Sequence, residues 1–525
     1  MLHVQRVEDT ATHGARRLTT AREWIPRRLP QLRLGDVIAG GSVALVLVPQ
    51  SLAYAQLAGL PPYRGLYAAA VAPIAAAFFA SSAYLQPGPT AVTSLLTFGA
   101  LAPIAHVGSH RFVELALLLA VLVGIVRIVV GLLHAGVLAY LMSHSVLAGF
   151  VPAAAIVIVG SQLPIALGAS TRGADSARKF GEAVAHPDRW HWQAIVLSLV
   201  VAAVLFLGRR LHPLFPSVLA AVAVAIGYGA VVDVGAHAGG GGAGFPPLSL
   251  ALPWGSTPSL LLPAAVIALV GFAEAGSIAR TFAAQDRVSW NPSREFIAQG
   301  ASNVAAGSFG GMPVGASFSR SSLNRLAGAE TPVSAVVAGA VVLALLPAVG
   351  FLSRLPQAAL AAIVIFSVAS LVRVRELREL VRYSRIQFAA AAATFVATIA
   401  FAPHVERGVI VGVAAAFAIH LWKELDVDIR SRGEGDVVYL QPLGVLWFAS
   451  AHRIDGELLR LLREHPDARR VVVDMRGLGR TDITGALALR GLLLDAEAAG
   501  LDVRVEGVHP RVRPFVARVL GRWMA

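Results

Sequence analysis

The chain has no cysteine among its 525 residues, so disulfides, thiolate metal sites and cysteine nucleophiles are excluded. Lysine is almost missing as well: Lys179 and Lys423 are the only two, and arginine supplies nearly all of the formal net charge of +13. Charged residues make up only 14% of the chain against 56% hydrophobic ones, a balance that excludes an ordinary soluble enzyme and indicates a polytopic membrane protein. No Walker A sequence, H-E-x-x-H or G-x-S-x-G is present, and no other enzyme signature stands out. No apolar run precedes Asp36, so the arginine-rich segment 1–35 does not read as a cleaved signal peptide. The positive-inside rule places that segment in the cytoplasm. The basic residues cluster outside the apolar spans, which points to anionic lipid headgroups and membrane orientation rather than to nucleic acid.

From Val37 the apolar stretches follow one another closely. Crossings are expected near 37–56, 64–81, 84–101, 112–132, 143–167, 191–208 and 214–232, and again near 259–280, 293–310, 312–328, 331–349, 355–372, 386–402 and 405–422. The glycine run "AGGGGAGF" between the two sets does not open a helix after a strand, so it reads as a linker rather than a nucleotide loop. An odd number of crossings per set gives the halves opposite orientations, the inverted-repeat plan, and returns the chain to the cytoplasm. The expected domains are a basic segment 1–35, repeat 1 at 36–232, a linker 233–258, repeat 2 at 259–422, a linker 423–435 and a small α/β domain at 436–525. The last rests on alternating strand and helix patterns such as "VVYLQPLGVLWFAS", "IDGELLRLLREH", "RRVVVDMRGL" and "TGALALRGLLLDAEAAG".

Two stretches break the apolar pattern, and each falls third in its set. "YLQPGPTAVTSLL" (84–96) and "GGMPVGASFSRSSLN" (310–324) share one order: an extended piece, a Pro/Gly break, small hydroxyl residues, then a helical run. Broken backbone survives at membrane depth only where protein or a watery cavity surrounds it. Paired breaks in corresponding places of two halves point to a transporter's binding site. A half-helix that starts in mid-membrane presents free N–H groups and the positive end of its dipole, a geometry that holds anions. Arg320 stands at the second break, where an arginine is costly unless paired or used; its guanidinium suits oxyanions, and its structural alternative is an ion pair with Glu274. Ser317 and Ser319 either donate hydrogen bonds or permit close helix packing. Glu274 is the only acid inside its apolar stretch, and a proton relay, a sodium ligand and a fixed counter-charge are all open to it. Arg127, within the fourth stretch, is expected to snorkel or to form a structural pair, and His144 to pack at an interface.

These residues carry a resemblance. "DVIAGGSVALVLVPQSLAYAQLAGLPPYRGLYAA", "GPTAVTSLL", "GSQLPIALG", "NPSREFIAQGASNVAAGSFGGMPVGASFSRSSLN" and "GVIVGVAAAFAIHLW" resemble the sulfate permease (SulP) anion transporters, and the tail resembles their STAS domain. The resemblance runs from Asp36 nearly to the end. It implies a seven-plus-seven inverted repeat of about 14 spans, with a core domain moving against a gate domain, and small anions such as sulfate, bicarbonate or dicarboxylates as substrates. Carried over, the pocket lies between Thr90, Ala91 and Val92 on one side and Ser317, Phe318, Ser319 and Arg320 on the other, lined by Gln50 and Tyr54. Glu274 matches the acid implicated in cation coupling; a proton is favoured over sodium because Ser277 and backbone carbonyls are the main oxygen ligands nearby. Phe318 is expected to narrow the pocket. In the tail, Thr484 stands where signalling relatives carry a phosphorylatable serine, and a helix-cap role is the alternative favoured on frequency. No cofactor is implied. The expected setting is a bacterial inner membrane, with both termini cytoplasmic and a homodimer as the assembly. A sodium-coupled symporter, an exchanger, and a channel or sensor that positions the STAS domain are the competing readings. A nucleobase symporter is disfavoured by the "SFSR" arginine and the STAS tail.

Overall fold

The computed structural model describes residues 31–135, 144–169, 176–211, 215, 217–234, 244–347, 354–369, 372, 374–424, 428–446, 451–481, 483–510 and 512–524. Most of the 1–35 segment and most of the glycine run lie outside them. In chain order the first half holds α1 (Leu34–Leu57), α2 (Pro62–Ala77), β1 (Pro87–Gly88), α3 (Ala91–Leu101), α4 (His110–Leu132), α5 (His144–Ala166), α6 (Ser176–Ala185), α7 (Trp192–Leu211) and α8 (Ser217–Val231). The second half holds α9 (Thr257–Asp286), α10 (Pro292–Ser308), β2 (Gly315–Ala316), α11 (Phe318–Leu326), α12 (Val333–Leu345), α13 (Gln357–Ala369), α14 (Val374–Tyr383), α15 (Arg385–Ala400) and α16 (Val405–Glu424). Among the described residues five helices are long and apolar enough to cross a membrane: Leu34–Leu57, His110–Leu132, Ser145–Ala166, Trp254–Asp286 and Val405–Trp422.

Each of the fourteen apolar stretches carries a helix, but α3 and α11 fill only the later part of theirs. Both follow a short extended piece, because Pro87, Pro89 and Pro313 cannot donate to a helical ladder. Two helices arise where none was expected. α6 and α14 mix charged and apolar residues, with Arg178, Lys179 and Glu182 in one and Arg378, Glu379 and Arg382 in the other. A reading guided by continuous apolar runs passes over such amphipathic segments.

The helices of this part sort into two packed groups. In one, α1–α4 pack with α9–α12; in the other, α5, α7 and α8 pack with α13, and α5 also with α15. Within the first group α4 and α10 approach at glycines. A Cβ on Gly124 would lie 2.7 Å from the Gly300 carbonyl oxygen, and one on Gly300 would lie 2.8 Å from that of Gly124. Such contact leaves no room for side chains and fixes the two helices backbone to backbone.

The chain separates into two compact units at Ala414 and Ala415. The second unit contains a mixed sheet in the order β3–β4–β5–β7, built from β3 (Asp428–Glu434), β4 (Val437–Leu446), β5 (Arg470–Asp474) and β7 (Asp502–Glu506), with β6 (Leu478–Thr481) parallel to β4. β3 runs antiparallel to β4, whereas β5 pairs parallel with both β4 and β7. Helices α17 (Ala451–Glu464), α18 (Ile483–Ala498) and α19 (Arg513–Leu520) cover it over a core that includes Val438, Leu440, Val471, Val473, Leu489, Leu493 and Trp523. β3 corrects one expectation: it occupies much of the stretch read as the 423–435 linker, because its alternating exposed and half-buried residues look polar throughout in sequence.

Candidate anion site at the paired helix breaks

The two extended leaders meet. Pro87 lies opposite Ala316 and Gly88 opposite Gly315 in a short antiparallel ladder, which brings the N-termini of α3 and α11 to one place. Side chains of the second half complete the backbone accounting that buried chain requires in both leaders. The Gln86 N–H donates to Ser321 Oγ at 3.1 Å, and Asn324 Nδ2 donates to the Tyr84 carbonyl at 3.1 Å. Val314 is held on both its groups: its N–H donates to Asn303 Oδ1 at 2.9 Å, and its carbonyl accepts from Asn303 Nδ2 at 3.0 Å.

The two N-termini then differ. Thr90 caps α3 from its own chain: its Oγ1 accepts from the Thr93 N–H at 3.3 Å, and its N–H donates to Thr93 Oγ1 at 3.3 Å. That reciprocal box satisfies a donor at the helix start and draws the Thr90 hydroxyl inward. At α11 the corresponding Ser317 makes no capping bond, and its Oγ lies 3.1 Å from Ser319 Oγ. The first N–H of this helix to reach a helical acceptor is that of Ser321, bonded to the Ser317 carbonyl, so those of Phe318, Ser319 and Arg320 have none within the helix.

Arg320 closes the arrangement. It is 1% exposed, and its Nη1 donates to Gln50 Oε1 at 3.2 Å and to the Pro89 carbonyl at 3.0 Å. Among the described residues its Nε and Nη2 have no hydrogen-bond partner. These two donors form one edge of the guanidinium, the edge that takes a carboxylate or sulfate through two parallel bonds. Gly88 lies close against it: a Cβ there would be 3.3 Å from Nη2 and 3.0 Å from Leu47 Cδ1, a tight fit. Tyr54 and Glu274 lie within electrostatic reach of the guanidinium.

The expected lining residues Gln50, Tyr54, Thr90, Ala91 and Val92 are all buried in the same group of helices as Arg320. Arg320 spends its observed hydrogen bonds on Gln50 and Pro89 rather than on Glu274, which is half-buried on α9. Phe318, expected to narrow the pocket, is 48% exposed and stacks on Phe282 of α9, with ring centroids 6.2 Å apart. Arg127 departs from expectation. Rather than snorkelling or meeting an acid, it is fully buried and donates to the carbonyls of Ala268, Val314 and Ile267 at 3.2, 3.0 and 3.2 Å. Thr484 is the second residue of α18, exposed and inside the first turn, so it is not the helix cap. The side chain of His144 lies outside the described residues. Asn303 and Thr93 were not anticipated, although the Thr90-x-x-Thr93 spacing is a capping signal.

Comparison with known proteins gives the following. Residues 34–394 match the sulfate permease family and residues 428–519 the STAS domain. A "Probable sulfate transporter" of Mycobacterium tuberculosis is 36% identical over 398 residues, covering 74% of this chain and 69% of that protein. The chloroplastic sulfate transporter 4.1 of Arabidopsis thaliana is 34% identical over 418 residues, covering 77% of this chain and 61% of that protein. Among solved structures, the murine Solute Carrier 26 member A9 anion transporter in its inward-facing state superposes with a TM-score of 0.86 at 19% identity, covering 98% of this chain and 94% of that one. The transmembrane domain of a cyanobacterial bicarbonate transporter superposes with a TM-score of 0.62 at 21% identity, over 73% of this chain and 96% of that one. These two likenesses concern the fold.

Proposed function

The chain belongs to the sulfate permease family of anion transporters, and from that premise we propose that it is a secondary active carrier of small oxyanions of the sulfate, bicarbonate or dicarboxylate class. The observation that carries this reading is the unpartnered Nε–Nη2 edge of a buried Arg320 beside an uncapped helix N-terminus. A buried donor pair without a partner is costly, and an oxyanion would relieve that cost through two charge-assisted bonds. Ser319, Ser317 and the first N–H groups of α11 complete its coordination, while Gln50, Tyr54 and the Thr90–Val92 turn wall the site.

The protein has fourteen spans in a seven-plus-seven inverted repeat. The α1–α4 and α9–α12 group acts as the core that carries the anion, and α5–α8 with α13–α16 as the gate. Packing that is denser within each group than between them supports that division. Both termini and the STAS domain are cytoplasmic in a bacterial inner membrane, and the protein works as a homodimer. Glu274 takes up the coupling proton, a role supported by its electrostatic reach to Arg320. Thr484 is a regulatory site on the STAS domain, where a phosphate in the first turn of α18 would favour the helix dipole.

The test is uptake into proteoliposomes, with sulfate, bicarbonate and a dicarboxylate offered under imposed pH and sodium gradients. Saturable uptake of at least one oxyanion, driven by an inward proton gradient and lost in Arg320→Ala, is the expected result. Uptake that does not saturate, or that persists in Arg320→Ala, overturns the carrier or the site respectively. Dependence on sodium instead of protons overturns the coupling alone.

A further inference from the structure

Arg127 is a second fully buried arginine, and its hydrogen bonds do not account for it. The carbonyls of Ile267 and Ala268 lie inside α9, where the helix's own ladder supplies an N–H to each. The Val314 carbonyl already accepts from Asn303. All three acceptors would therefore stay bonded if the guanidinium were replaced by a neutral side chain. Among the described residues, Arg127 has no carboxylate within ion-pair distance, and its partners are these carbonyls alone. A buried charge without a counter-charge is among the most costly features a fold can carry, so its presence calls for something that the charge itself does.

Its position supplies the reason. A Cβ on Gly271 would lie 2.4 Å from Arg127 Nη2 and 3.6 Å from Thr93 Cγ2. A Cβ on Gly315 would lie 3.2 Å from that same Thr93 Cγ2 and 3.6 Å from Thr90 Oγ1. The Arg127 guanidinium thus sits beside the Thr90–Thr93 turn and bonds directly to Val314, the residue before β2. Arg127 bonds Val314 in the leader of α11, while Arg320 bonds Pro89 in the leader of α3. Together with Glu274, the junction has two guanidinium charges and one titratable acid near it.

We infer that Arg127 is a fixed positive charge behind the anion site that sets its preference for anion valence, favouring divalent over monovalent anions. It acts through space and touches no substrate. The inference rests on the anion site proposed at Arg320. Coulomb energy is proportional to the charge of the bound ion, so the loss on removing Arg127 is squared for a divalent anion. A loss of about tenfold for a monovalent anion is therefore roughly a hundredfold loss for a divalent one.

The experiment measures sulfate and nitrate dissociation constants on the purified full chain, for the wild type, Arg127→Gln, Arg127→Lys and Arg320→Ala. Arg127→Gln keeps donors and loses charge; Arg127→Lys keeps charge and loses the fork. The expected result is a sulfate-to-nitrate preference that falls about tenfold in Arg127→Gln and stays near wild type in Arg127→Lys. A purely structural role would change both anions by one factor, and that outcome overturns the inference. So does an Arg127→Gln protein that fails to fold while Arg127→Lys folds, because the charge then serves the fold. Arg320→Ala that still binds both anions at wild-type strength overturns the site itself, a different failure from either of these.

Discussion

α3 and α11 reach the β1–β2 junction in the same way and begin differently. Each follows an extended leader, and the leaders pair with one another. Yet α3 turns its Thr90 hydroxyl back onto its own Thr93, whereas α11 leaves Ser317 uncapped and adds a buried arginine with an unpartnered edge. Both ends carry the same helix dipole, so the dipole alone does not distinguish them. The difference lies in which donors remain available. One N-terminus turns its cap hydroxyl back onto its own first turn and serves as a wall, and the other leaves its cap serine unused and can serve as the binding side. Approximate symmetry of backbone thus coexists with a division of labour between side chains.

The change that breaks this comparison most severely is Arg320→Ala. It should reduce oxyanion uptake at least a hundredfold in a protein that still folds, since two charge-assisted bonds are lost. Arg320→Lys should recover only part of the rate, because an ammonium keeps the charge without the planar fork. Initial rates in proteoliposomes, normalised to folded protein, check both. Glu274→Gln comes next: accumulation in response to a pH gradient should disappear while exchange of labelled for unlabelled anion persists. Accumulation that survives in this variant removes Glu274 from the coupling.

Smaller effects sharpen the contrast between the two ends. Asn303→Ala leaves the buried Val314 N–H without its acceptor and should cost about 1–3 kcal/mol of stability, read as a lowered unfolding midpoint in detergent. Ser319→Ala should weaken anion binding about fivefold, the value of one hydrogen bond near 1 kcal/mol. Thr90→Ala should lower stability by about 1 kcal/mol, as the loss of a cap does, and leave anion affinity within about twofold. If Thr90→Ala instead weakens binding more than Ser319→Ala, the assignment of wall and binding side is reversed. Ending the chain after Glu424, ahead of β3, should leave the order of competing anions unchanged even if yield falls.

The sequence made the half-helices and Arg320 readable, because proline and glycine inside apolar runs, followed by an arginine, have few inexpensive explanations at membrane depth. It did not reveal that the leaders pair, since two residues in each are too few to show a strand period. Arg127 was misread for a related reason: its three carbonyl partners stand 140 to 187 positions away, and backbone acceptors leave no mark in side-chain chemistry. Thr484 illustrates a boundary error, since a helix that starts two residues earlier turns a cap into a first-turn residue.

The most direct test of the central claim is to locate a bound oxyanion, using selenate as a sulfate analogue whose selenium scatters anomalously. The account predicts one selenium position within hydrogen-bonding distance, through its oxygens, of Arg320 Nε and Nη2 and of the N–H groups at the start of α11. A selenate held instead at the Thr90–Val92 turn, with the Arg320 edge still unoccupied, would contradict it.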